Sequence, residues 1–85
     1  MYLHLGKNTV VRHADVVGIF DLDNSSQSHL TRDYLARAEK AGEVESVSDE
    51  LPKSFVLCDD GKQRVYLSQL GSGTLLRRSE GLFLE

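Results

Sequence analysis

The chain has 85 residues, 13 acidic against 10 basic, and a net charge of −3. That length makes a single domain, residues 1–85, and the acidic balance excludes a generally sticky, histone-like surface while leaving room for a local basic patch. One cysteine cannot pair within the chain, so self-association is the readiest extra source of buried apolar area for a core this small.

In chain order, residues 2–5 and 9–12 are short strand candidates around the turn Gly6-Lys7-Asn8. The opening MYLHLGKN has no basic segment followed by a long apolar one, so it does not read as a signal peptide. After the polar stretch RHAD comes a third strand over 16–22, in which Val16, Val17, Ile19, Phe20 and Leu22 are apolar on both faces. Such a strand is either central in a sheet or covered on one side by another subunit. DNSSQS is a turn, and Ser28 is a good N-cap for a helix over about 29–41, closed by Gly42. At helical spacing Leu30, Tyr34, Leu35, Ala38 and Ala41 share one stripe, with Arg32, Asp33, Arg37, Glu39 and Lys40 on the opposite arc. Asp33 and Arg37 are spaced for an i,i+4 pair.

Residues 44–47 suggest an edge strand. SFVLC and QRVYLS flank Asp59-Asp60-Gly61-Lys62, and Asp-Gly between two β-prone runs predicts a hairpin. GSGTLLRRSEG suggests a short terminal helix or turn, followed by the apolar tail LFL. The order β-β-β-α-β-β-β with a short C-terminal helix predicts an α+β domain. We expect one small antiparallel sheet of about six short strands, packed with one amphipathic helix.

The stretch VVGIFDLDN looks like the opening motif of the haloacid dehalogenase-like phosphatases, with Asp21 as nucleophile and Asp23 as general acid around magnesium. Physics argues against it. In that family the motifs sit at the carboxyl ends of parallel strands, each of which needs a crossover of about a dozen residues or more. Only one helix separates Asp23 from Asp59, and Asp59-Asp60 are consumed in the hairpin turn. A calcium loop in the same place fails because Ser26 stands where glycine is needed and Arg32 where a bidentate Glu belongs. His4, His13 and His29 show no ligand spacing with each other or with Cys58. His13 and Asp15 have no strand-turn-helix nucleophile to serve, and Gly71-Ser72-Gly73 alone is a flexible turn. No catalytic residue, metal or cofactor is assigned, and no enzyme activity, small-molecule substrate or membrane span is expected; no apolar run nears the ~20 residues that crossing a bilayer takes. The lone Cys58 reads as a small core residue.

The basic residues remain. Arg77-Arg78 adjoin on the last segment, Lys53 leads SFVLC, and Lys7 and Arg12 flank the first hairpin. Each alone is a solvated surface charge. In a symmetric ring every one is repeated, and phosphate neutralisation adds contact by contact.

MYLHLG, DVVGIFDLDN, LPKSFVLC and TLLRR, taken in order, resemble the RemB branch of the RemA/RemB regulators of extracellular matrix in Gram-positive bacteria. The resemblance covers nearly the whole chain and rests on ordinary core and turn residues. It implies a bacterial cytoplasmic transcriptional regulator of biofilm matrix genes. It also implies a homo-oligomeric ring on a fold similar to the LytTR DNA-binding domain, with arginines contacting DNA. One departure stands out: Asp15, Asp49 and Glu50 occupy positions that are basic in the RemA branch, where they would repel phosphate. The first expectation is therefore a ring-forming regulator that contacts double-stranded DNA through Arg12, Lys53, Arg77 and Arg78, reading backbone and shape. The alternative is an oligomeric regulator of the same family that works through a protein partner without touching DNA.

Overall fold

The computed structural model describes residues 2–22 and 29–83. It contains strands β1 (Tyr2–Gly6), β2 (Thr9–Arg12) and β3 (Val16–Asp21), helix α1 (His29–Lys40), strands β4 (Val44–Ser46), β5 (Ser54–Asp59) and β6 (Gln63–Ser68), and helix α2 (Ser72–Phe83). A single 3-10 turn, His13–Asp15, joins β2 to β3. The Ser28 cap and the second aspartate of the Asp-x-Asp pair, Asp23, lie outside the described residues.

The local signals form as expected. Gly42 ends α1 in the left-handed region at φ 75°. Its N–H donates to Glu39 O and that of Glu43 to Ala38 O, the paired bonds of a Schellman cap. At the β5–β6 turn Gly61 takes φ 110°. The Asp59 and Asp60 carboxylates there accept from the backbone N–H groups of Gly61 and Lys62, so both side chains serve the turn. At the first hairpin Lys7 itself adopts φ 44°.

The sheets depart from the expectation in two ways, and the last helix in a third. The six strands form two sheets: β1–β2 is a separate hairpin, and the others are ordered β3-β5-β6-β4. β4 is an edge strand as expected, but it runs parallel to β6, whereas β3–β5 and β5–β6 are antiparallel. The connection through residues 47–53 causes this. It crosses the end of β6, where Val47 N–H donates to Leu67 O and Lys53 N–H to Ser68 O, so β4 and β5 lie on opposite flanks of one strand. Third, α2 runs for 12 residues where a short element was expected. Burying Leu75 on the core outweighs the helix-breaking tendency of Gly73.

Each face of the larger sheet has its own core. On one, Leu3, Leu5 and Val11 of the hairpin meet Val56, Cys58 and Leu75. On the other, Ala38, with Tyr34 and Leu35 of α1, meets Phe55 and Val65. Strand alternation sends Phe55 and Leu57 one way and Val56 and Cys58 the other, which is why SFVLC is apolar throughout. Two buried serines join the layers: Ser68 Oγ donates to Leu5 O at 2.6 Å and Ser54 Oγ to Leu70 O at 2.7 Å.

The third strand is not central: β3 is an edge strand. Val17 remains 62% exposed and Phe20 39%. Phe20 packs over Gly18, where a Cβ would come within 2.7 Å of its ring. It stacks on Phe55 with centroids 4.9 Å apart and 19° between planes. Leu30, assigned by spacing to the buried stripe, is 70% exposed. With Phe20, Tyr34, Phe55 and Leu57 it borders an apolar groove of about 270 Å³.

Candidate nucleic-acid interface

The four cations singled out in the sequence do not form one surface. Arg12 ends β2 opposite Tyr2, and Val10 stands opposite His4. Directly opposed residues share a face of an antiparallel pair, so these four side chains form the outer face of the hairpin. Arg78 reaches the same hairpin from α2, its Nη1 donating to His4 O at 3.2 Å. Arg77, Arg78 and Thr74 border a shallow concavity of about 330 Å³. Lys53 lies apart. It precedes Ser54, which pairs with Asp21 at the end of β3, whereas Arg12 lies before Val16, which pairs with Cys58. At about 3.3 Å per residue, those two ends of β5 are more than roughly 13 Å apart.

Arg12 is not a free cation. Its Nε and Nη2 donate to Asp15 Oδ2 and Oδ1 at 3.0 and 2.9 Å, a bidentate pair closed by the 3-10 turn. Hydrogen bonding to Asp15 raises the guanidinium's already high pKa. The bond from Arg12 in turn holds the Asp15 carboxyl below its ordinary value. The pair is therefore intact above the usual carboxylate range and is lost as pH falls through the depressed Asp15 value. Asp15, expected to repel phosphate, acts here by occupying an arginine. Asp33 and Arg37, spaced for an ion pair, do not form one with each other.

Two cations passed over in the sequence belong beside Arg12. Arg64 pairs with Cys58 on one side while Val16 pairs with Cys58 on the other. This register brings residues 12–16 to the same end of the sheet as the β5–β6 hairpin. The result is an open cleft of about 460 Å³ whose lining includes Arg12, Asp15, Cys58, Lys62, Arg64 and Tyr66. Among the described residues neither Lys62 nor Arg64 forms an ion pair. Arg64 carried a signal in its alternation with Val65 and Leu67, but its neighbourhood depends on strand order, which local sequence does not specify.

Cys58 contributes to the cleft wall yet is only 5% exposed. Burial first, then the nearby Asp15 and Asp60 carboxylates, pushes its thiol up to about 11. At pH 8 the folded protein should hold on the order of a hundredfold less thiolate than an ordinary cysteine, and react correspondingly slowly with a thiol probe. Denaturant should restore the normal rate. Fast labelling of the native protein would show that the wall opens.

Asp21 ends β3 and accepts from Ser72 Oγ at 3.4 Å. Its strand is antiparallel to β5, so Asp59 and Asp60 fall at the far end of the sheet from Asp21. Among the described residues no group of three or more His, Cys, Asp or Glu side chains could hold a metal. No described helix is long and apolar enough to cross a membrane.

No protein-family model matches the chain. A relative does: the chain is 39% identical over 83 residues to extracellular matrix regulatory protein B of Bacillus subtilis (strain 168), covering 98% of this chain and 95% of the relative. At that identity and coverage the RemB resemblance is established, and the chain belongs to the family of extracellular matrix regulatory protein B.

Proposed function

We propose that the protein is a cytoplasmic, homo-oligomeric regulator of extracellular matrix genes that assembles into a ring and binds duplex DNA through the phosphate backbone. The observation that carries the assembly is the open β3 edge, with Val17 and Phe20 left exposed on a chain with little core to spare. The relative's name supports the regulatory role. Repetition of Arg12, Lys62, Arg64, Arg77 and Arg78 around a closed assembly supplies the charge that one copy, at net −3, lacks. Lys53 would contribute from a separate position, and the likeness of the family fold to the LytTR DNA-binding domain is part of the same proposal.

A second reading is favoured by the Arg12–Asp15 pair and the acidic Asp59, Asp60, Asp49 and Glu50: an oligomer that regulates through a protein partner and leaves DNA alone. Native mass and DNA retardation across a salt series separate the two. A multimer that retards DNA, with affinity falling steeply as salt rises, supports the first. A multimer that ignores DNA at low salt leaves the second, and a monomer removes the basis of both.

A further inference from the structure

We propose that Leu51 of one copy seats in the Phe20–Leu30–Leu57 groove of the next, with Asp49 and Glu50 set against Arg37, and that this head-to-tail contact builds the assembly. The inference rests on the self-association proposed above and names its surfaces.

Leu51 is 85% exposed, the most exposed of the described large apolar side chains. Its segment is held at both ends, by Val47 N–H on Leu67 O and Lys53 N–H on Ser68 O. Within it, Glu50 N–H donates to Ser48 Oγ at 3.1 Å, and Pro52 restricts the backbone beside the leucine. A side chain presented this way loses little freedom on docking.

The receiving groove lies at the β3 edge, on the α1 face of the sheet. Phe20 and Leu30 stand open there at 39% and 70%. Arg37 is the end of the polar arc nearest Leu30, which it follows by seven positions, so it lies on the flank of α1 next to the groove without lining it. It is exposed and, among the described residues, forms no ion pair. A leucine flanked by two carboxylates thus faces a groove flanked by an arginine. Because knob and groove are different surfaces, the contact is heterologous; repeated with a closing rotation it gives a ring. It also gives the acidic loop a role at the subunit boundary.

The test uses the full chain in a Cys58→Ser background, with Leu51→Cys and Leu30→Cys prepared separately. Under mild oxidation the mixture should form a disulfide between the two variants, and neither should cross-link alone. Leu51→Asp, in the wild-type background and folded by circular dichroism, should weaken self-association by about thirtyfold or more, as the loss of one buried leucine implies. Cross-linking of Leu30→Cys with itself would replace the contact with a two-fold groove-to-groove interface and overturn the proposal. So would a wild-type multimer that shows no mixed disulfide and is indifferent to Leu51→Asp, though self-association would then stand. A wild-type monomer at micromolar concentration overturns both.

Discussion

Leu75→Ala is expected to destabilise the protein by about 3–4 kcal/mol, within the range for emptying a fully buried leucine site. Leu75 is 0% exposed and shares a cluster with Leu3, Leu5 and Val56. It is the buried apolar anchor of α2 among that helix's described side chains, so its loss also loosens the contacts of α2 with the hairpin and β3. A domain of this size holds roughly 4–13 kcal/mol in total, and the melting temperature should drop by at least about 10 °C. Thermal unfolding followed by circular dichroism measures it. The neighbouring Leu76, 45% exposed, is the control, and its truncation should change stability by about 0.5 kcal/mol or less. Equal effects at the two positions would show that α2 does not dock on Leu75.

Arg64→Ala is expected to weaken DNA binding about tenfold at ~0.1 M salt and to flatten the salt dependence by about one unit of slope for each contact removed. Arg12→Ala should do less, because its guanidinium is already taken by Asp15. Asp15→Asn should do the reverse: with the carboxylate charge gone, Arg12 becomes available to phosphate and affinity rises severalfold. Fluorescence anisotropy with a labelled duplex at several salt concentrations reads all three. Weaker binding by Asp15→Asn would show that the ion pair positions the surface, and no loss with Arg64→Ala would place the DNA elsewhere on the molecule. These outcomes bear on DNA contact alone, since none of the three residues lies in the Leu51 contact.

The phosphatase-like stretch shows how far a local motif carries. Asp21 and Asp59 are both where such a motif would need them in sequence. Yet an antiparallel pairing places them at opposite ends of adjacent strands, and Asp59 and Asp60 bond the hairpin backbone. The topological objection made from crossover length alone agrees with the strand directions. The apolar content of residues 16–22 was equally visible, but of its two explanations, central placement and cover by another subunit, the structure removes the first.

What the sequence determined by itself was most of the inventory: the order of strands and helices, the Gly42 cap, the Asp-Gly hairpin and the amphipathic α1, though not the length of α2. Caps, turns and alternation act over a few residues, so their energetics are local and legible. Only the tertiary structure decided that the strands divide into two sheets, that β4 runs parallel to β6, that β3 is an edge, and that Arg12 neighbours Lys62 and Arg64 while Lys53 stands apart. The physical reason is that strand order and direction are set by burying faces against partners distant along the chain. That sum is taken over the whole molecule, and no short window of residues contains it.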